Sequence, residues 1–148
     1  MNPEERSEAI LGSFDGVVSV LGFIFGLLIH KSSESAIAIG ALGGAISATI
    51  SMGTGAYESA EGKWHRRLQN ATAMAIATLV GSLVPVWGFF VFSKSGALLA
   101  GGIGCLVVAT WIGRMKKKGT KGYASAYLTL ILAAGLTLGV ISLIPSSA

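Results

Sequence analysis

Long apolar runs separated by short polar segments dominate the pattern of the chain. A transmembrane helix needs about 20 consecutive, mostly apolar residues, and the runs have about this length. The pattern predicts five helices, at about 12–29, 36–57, 71–92, 96–112 and 123–144. We therefore predict an all-α polytopic membrane protein in which residues 1–148 form a single transmembrane domain. Residues 58–70 are expected to be a short polar extension that continues the second helix.

The composition supports a membrane protein. Charged residues make up 12% of the 148 residues, whereas soluble domains carry roughly 25%. The segments between the predicted spans are too short for a soluble catalytic domain, and no nucleophile triad, CxxC pair or phosphate-binding loop occurs. We therefore expect neither an enzyme nor a bound cofactor.

The basic residues mark one side of the predicted membrane domain. Five spans place nine basic residues on the side of the amino terminus and only Lys31 and Lys94 on the other. Such a bias identifies the cytoplasmic side, so we expect the amino terminus in the cytoplasm and the carboxyl terminus opposite. The basic segment 114–121 lies beside an apolar run, which predicts binding to anionic lipid rather than to nucleic acid. The nine are Arg6, Lys63, Arg66, Arg67, Arg114, Lys116, Lys117, Lys118 and Lys121.

Asp15 is the ionisable residue that falls most clearly inside a predicted span. Such a residue costs ~2.5–3.5 kcal/mol at the helix centre, so it marks a functional site by default. If the first helix begins near Pro3, Glu4 and Glu8 share a face with Asp15, and this acidic stripe would lead from the cytoplasm into the membrane. The alternative is that both glutamates belong to a solvated first turn, favoured by the helix dipole.

Met52 is expected at the same depth as Asp15, because the first helix leaves the cytoplasm and the second returns to it. A carboxylate oxygen together with a thioether sulfur suits a first-row transition ion better than Mg²⁺ or Ca²⁺. The alternative is that Met52 only fills space between helices.

Glu58, Glu61 and His65 follow a spacing of three and then four residues. On one continuous helix these side chains would share a face, where two carboxylates and an imidazole could capture a divalent cation. The same spacing is also typical of an ordinary solvated helix surface.

Several motifs resemble the vacuolar iron transporter family. The stretch 6–26, which contains Asp15-Gly16-Val17-Val18-Ser19, is similar to the start of that family. The second and third predicted helices carry two further family-like motifs, Ser51-Met52-Gly53-Thr54-Gly55-Ala56-Tyr57 and Gly81-Ser82-Leu83-Val84-Pro85.

The resemblance implies export of Fe²⁺, and often of Mn²⁺, from the cytosol in exchange for protons. It also implies a homodimer, with the ion path between the first two helices at the subunit interface. On this pattern Asp15 matches the membrane aspartate, which would also carry the coupled proton, Met52 matches the methionine near it, and Glu8 matches an acidic entrance residue.

The chain departs from the family pattern at two points. Gly44 stands where family members carry a glutamate in the second helix. The cytosolic metal-binding domain that the family commonly inserts between helices two and three is replaced by the short segment 58–70, which makes this a short member. We hypothesise that Glu58, Glu61 and His65 form a minimal substitute for that domain.

The sequence therefore predicts a homodimeric, proton-coupled transporter with a divalent transition metal as its substrate. It would reside in the cell membrane of a prokaryote, or in a vacuolar or other organelle membrane of a eukaryote. Two alternatives remain at this point, namely a small proton-coupled exporter of organic cations and a membrane scaffold that transports nothing.

Overall fold

The computed structural model describes residues 3–116 and 119–143, which form five α-helices and one short 3₁₀-helix and contain no β-strand. All five α-helices are long and apolar enough to cross a membrane. This confirms the predicted all-α class and the number of spans. The elements are α1 (Pro3–Ile29), α2 (Glu34–Ser59), α3 (Trp64–Val86), a 3₁₀-helix (Trp87–Phe90), α4 (Lys94–Met115) and α5 (Thr120–Ser142).

The helices extend beyond the apolar runs that predicted them. α1 begins at Pro3, nine residues before the expected position. Proline fits the first turn of a helix, and the glutamates that follow Pro3 are stabilised by the positive end of the helix dipole. The third span is divided, since α3 ends at Val86, one residue after Pro85, and a 3₁₀-helix follows. The end expected at Ile144 lies outside the described residues, as do Lys117 and Lys118.

The expectation that residues 58–70 continue the second helix is wrong. α2 ends at Ser59, and α3 begins at Trp64. Between them, Gly62 has a φ of +101°, a conformation that glycine adopts without steric cost. The chain therefore reverses sharply at this point, and most of the expected polar extension forms the first two turns of α3.

α1 lies at the centre of the bundle and contacts all four other α-helices. It runs parallel to α3, and three contacts along its first half join an α1 residue to the α3 residue 62 positions later. Glu4 bonds to Arg66, and a side chain on Gly12 or Gly16 would collide with Met74 or Thr78 respectively.

Two buried clusters hold the remaining helices against α1. Val20 and Ile24 of α1 pack with Ile37 of α2 and with Val86 of α3. On the other side, Val17 packs with residues of α4 and α5, including the buried thiol of Cys105. Many large apolar side chains nevertheless point outward, as expected for helices that face lipid.

The two ends of the bundle differ in charge. At one end, which we call the basic end, the start of α1 shares one cavity with Lys63 and Arg66 and another with Lys116 and Lys121. At the opposite end, the backbone N–H of Lys94 donates to the Glu34 carboxylate at 2.7 Å. The candidate site lies nearer the basic end.

Candidate metal path along α1

Asp15 lies in α1, four turns from Ile29, and its side chain is half-buried. Ser19, also half-buried, follows one turn later on the same face of α1. Within residues 3–116 and 119–143 the Asp15 carboxylate has no ion-pair partner. A carboxylate held in an apolar helix without a counter-charge is suited to binding a cation or a proton.

The packing of α1 against α2 places Met52 level with Asp15. A side chain at Gly40 would meet Leu27, and one at Gly44 would meet the Phe23 ring. The α1 residue of the second pair comes four positions earlier in the chain than that of the first pair, and the α2 residue comes four positions later. This opposite change is expected for antiparallel helices. If the same register continues for two further turns, Asp15 and Met52 lie at the same level of the two helices.

Met52 also takes part in a small hydrophobic cluster. Its side chain packs against the buried cluster that Ala56 of its own helix forms with Ala71 and Met74 of α3. The packing role expected as an alternative is therefore present. The Met52 side chain is nevertheless half-exposed, and the cluster beside it contains the buried side chain of Met74.

The position of Gly44 is filled from α1. A Cβ at Gly44 would lie 2.5 Å from Cδ2 of Phe23, so the Phe23 ring occupies the space that a larger side chain would need. The glutamate found here in the vacuolar iron transporter family does not fit unless Phe23 moves. The absence of a side chain at residue 44 is therefore matched by the Phe23 ring of α1, which fills the space.

The two glutamates that precede Asp15 have different surroundings. Glu4 forms a two-bond ion pair with Arg66, with distances of 3.0 Å to Nε and 2.5 Å to Nη2. Glu8 is half-buried and has no ion-pair partner among the described residues. The structure thus ties Glu4 to α3 and leaves Glu8 as the accessible carboxylate between the basic end and Asp15.

Glu58, Glu61 and His65 do not share a helical face, because they lie on α2, on the turn and on α3 respectively. The Glu58 carboxylate lies 3.7 Å from the Arg67 guanidinium, and the His65 ring contacts Trp64 edge to face. In residues 3–116 and 119–143 no group of three or more His, Cys, Asp or Glu side chains could hold a metal ion. The expectation of one shared face is wrong because the chain turns at Gly62.

A buried stripe on α3 was not predicted from the sequence. Its members lie four residues apart and face α1, and two of their polar atoms, Oδ1 of Asn70 and Oγ of Ser82, are buried without a hydrogen bond. The sequence signal is the recurrence of small or polar residues at this spacing in an apolar helix, which can be interpreted only when the neighbouring helix is known. The stripe consists of Asn70, Met74, Thr78 and Ser82.

Beyond Asp15 the small residues of α1 line an open groove. This groove has a volume of about 460 Å³ and extends along one face from Ser19 past Gly22 and Gly26 to His30. Its walls are almost entirely apolar and include Phe23. Asp15 therefore lies just beyond the Ser19 end of a groove that runs along α1 toward the end opposite the basic end.

The comparison with family models identifies the part of the chain that carries Asp15 and Met52. Residues 6–65 match the model of the VIT family, which is the vacuolar iron transporter family that the sequence motifs resemble. The match covers 60 of 148 residues, from the first turn of α1 to the start of α3. It confirms the resemblance and supports membership of the chain in this family. No curated protein and no solved structure matches the chain.

Five helices that are long and apolar enough to cross a membrane indicate an integral membrane protein, and the family match over residues 6–65 points to transport of a metal ion.

Proposed function

We propose that the protein exports Fe²⁺, and Mn²⁺ as well, from the cytosol in exchange for protons, along a path between α1 and α2. The observation that carries the proposal is the position of Asp15, an unpaired carboxylate in an apolar helix, level with Met52 on the neighbouring helix. An oxygen and a sulfur ligand together favour a first-row transition ion over Mg²⁺ and Ca²⁺. Both residues lie in the segment that matches the VIT family.

A homodimer would complete the site. One Asp15 and one Met52 supply two ligands, whereas a two-fold axis beside α1 and α2 would supply four. The half of α2 nearest the basic end supports such an interface, because Ser47, Ser51 and Gly55 are exposed there. Small residues on a membrane helix allow another helix to approach closely.

Asp15 would also couple metal to proton movement. A carboxylate that binds a metal ion must be deprotonated, so metal and proton compete for it. A proton taken up by Asp15 from the acidic side would release the metal ion there. The basic end of the bundle would face the cytoplasm, since short loops rich in Lys and Arg remain on that side.

The substitution Asp15→Asn tests this function. It preserves the size of the side chain and removes the charge. In inside-out vesicles with an imposed pH gradient, we expect Asp15→Asn to abolish the uptake of Fe²⁺ and Mn²⁺. Glu5→Gln, a substitution in the same helix outside the proposed path, should retain uptake.

Normal metal uptake by Asp15→Asn would contradict the transport mechanism and favour the scaffold alternative. Uptake of an organic cation such as tetraphenylphosphonium, driven by the pH gradient and lost in Asp15→Asn while Fe²⁺ is not transported, would favour the exporter of organic cations. Both substrates should therefore be measured in the same vesicle preparation.

The proposal includes anionic lipid as a partner of the segment 114–121. Lys116 and Lys121 line a cavity of about 610 Å³ at the basic end together with Arg6 of α1. Its base includes the apolar side chains of Ile10 and Met115. Cations above an apolar base are suited to a phospholipid headgroup, whose chains enter the membrane beside them.

A further inference from the structure

The register of α1 and α3 brings Glu8 and Asn70 to the same level. Glu4 bonds to Arg66 at the basic end, and eight residues later Gly12 meets Met74. Glu8 lies midway between Glu4 and Gly12 on α1. Asn70 lies midway between Arg66 and Met74 on α3. Because the helices are parallel and in contact, the two side chains occupy the same step of the interface.

Asn70 is unusual for its position. Its side chain is only 6% exposed, and its Oδ1 atom is buried with no hydrogen-bond donor. Buried polar atoms without a partner are rare in proteins and call for an explanation such as a bound ion. An amide oxygen is also a ligand that divalent cations accept.

Met74 continues the same stripe one turn further into the membrane. Its side chain is 4% exposed, and its sulfur lies beside Gly12, within 3.1 Å of where a Cβ would stand on that glycine. Met52 of α2 packs against the cluster that contains Met74. Met74 of α3 thus belongs to the cluster against which Met52, the residue level with Asp15, packs.

We infer that the Glu8 carboxylate, Oδ1 of Asn70 and the Met74 thioether form an entrance site for a divalent transition-metal cation. This inference rests on the proposed function, because it places the new site before Asp15 and Met52 on the same path. Two oxygen ligands and one sulfur ligand suit Fe²⁺ better than Mg²⁺ or Ca²⁺. The cation would then pass from Met74 to Met52 and reach Asp15 about two turns beyond Glu8.

The ion pair beside the site leaves Glu8 available. Two cations of α3 lie within one turn of Asn70, and both are engaged elsewhere. Arg66 donates to Glu4 through Nε and Nη2, and Arg67 donates to the Tyr57 carbonyl oxygen and lies 3.7 Å from the Glu58 carboxylate. Among the described residues, no Lys or Arg forms an ion pair with Glu8. The negative charge of Glu8 is therefore free to attract a cation to the interface between α1 and α3.

The substitution Asn70→Leu separates a ligand role from a structural one. Leucine has nearly the same size and removes a buried oxygen that lacks a partner, so the variant should unfold at the same temperature as the wild type or higher. Anaerobic titration of Fe²⁺ against the purified full chain in detergent should nevertheless show at least roughly 10-fold weaker binding, since even outer-shell partners of a metal typically contribute 10–100-fold. Asn70→Asp, which retains an oxygen and adds a charge, should bind Fe²⁺ at least as tightly as the wild type.

Gln69→Leu is the matched control, because Gln69 is the exposed amide next to Asn70. It should leave Fe²⁺ affinity unchanged. Met74→Leu should weaken Fe²⁺ more than Mn²⁺, because the harder Mn²⁺ gains less from sulfur. Met115→Leu, at the end of α4, should change neither affinity.

The outcomes distinguish this site from the transport proposal. Unchanged Fe²⁺ affinity in Asn70→Leu, or equal losses in Asn70→Leu and Gln69→Leu, would overturn the entrance site. If Asp15→Asn still abolished transport in that case, the proposed function would stand. Failure of the wild-type chain to bind Fe²⁺ would overturn both proposals.

Discussion

At the scale of single residues, Gly16 shows how closely the path is packed. A Cβ at Gly16 would lie within 3 Å of the Thr78 carbonyl oxygen and of the backbone N and the hydroxyl of Ser82. The backbones of α1 and α3 are in contact here, one residue after Asp15. The position of the Asp15 carboxylate therefore depends on the absence of a side chain at residue 16.

We expect Gly16→Ala to lower the free energy of unfolding by about 1–3 kcal/mol, because an added methyl group would force the two backbones apart. The control is Gly135→Ala in α5, where an added Cβ would meet nothing within 4 Å. That variant should gain about 0.5–1 kcal/mol from alanine's higher helix propensity. Denaturation of both purified variants in detergent would measure these changes, and equal stability of the two would contradict the close contact at Gly16.

The sequence alone singles out Asp15 as a candidate residue, but it does not single out Asn70. A charge within an apolar run is costly wherever the neighbouring helices lie, so Asp15 is conspicuous without any knowledge of the fold. Asn70 lies among polar residues at the start of α3, and its burial depends on the register between α3 and α1. Phe23 was missed for a similar reason, since its contact with Gly44 depends on how α1 packs against α2.

At the scale of helices, α4 receives its N-terminal cap from another helix. The Lys94 N–H donates to Oε1 of Glu34 at 2.7 Å, whereas Ser93, the residue before α4, makes no side-chain cap. The carboxylate satisfies one free N–H and also opposes the positive end of the helix dipole. This contact joins the starts of α2 and α4 at the end of the bundle opposite the basic end.

We expect Glu34→Ala to lower the free energy of unfolding by about 0.5–2 kcal/mol, as for other lost caps, and Glu34→Gln to cost less because it retains an acceptor oxygen. Glu61→Ala removes an exposed carboxylate from the turn between α2 and α3 and should change stability by less than about 0.5 kcal/mol. Chemical denaturation of the three variants in one detergent would measure the differences. A Glu34→Ala variant as stable as the wild type would show that the cap contributes nothing.

The helices were predictable as spans, but their ends were not. Apolar runs reveal where a helix crosses the membrane, and five such runs became five helices. The first turn of α1 and the first two turns of α3 are polar, so hydropathy alone placed them outside the helices. The turn at Gly62 separated Glu58 from His65, and spacing along a sequence cannot reveal such a turn when the flanking residues all favour helix.

At the scale of the whole molecule, the cavity of about 610 Å³ at the basic end lies between the start of α1, the end of α4 and the start of α5. The Lys116 ammonium donates to the Ser125 hydroxyl at 3.0 Å and lies 5.3 Å from the centre of the Phe14 ring. Its position is therefore fixed by α5 and α1 together. Phe14 is adjacent to Asp15, so a lipid headgroup held by Lys116 would bind close to the metal path.

We expect Lys116→Gln combined with Lys121→Gln to weaken the retention of phosphatidylglycerol roughly 30-fold at low salt, because each basic residue near a membrane surface contributes about 1 kcal/mol. Lys63→Gln combined with Arg114→Gln removes the same charge from exposed positions that do not line this cavity, and should have a clearly smaller effect. Native mass spectrometry of protein released from nanodiscs would count the retained lipid. Equal losses in the two double variants would indicate diffuse attraction rather than a site.

The two interfaces of α1 differ in mechanical stiffness. Toward α3, Gly12, Gly16 and Gly81 meet backbone atoms of the neighbouring helix, whereas toward α2 the glycines at 40 and 44 meet only the side chains of Leu27 and Phe23. Side chains can rotate, but a helical backbone cannot yield without breaking its hydrogen bonds. We therefore expect the contact of α1 with α3 to be stiffer than its contact with α2, so that α1 moves more readily relative to α2 than relative to α3. Asp15 and Met52 lie on the two sides of this softer contact, so a movement there would change the distance between the two proposed ligands and, with it, the affinity of the proposed ion site.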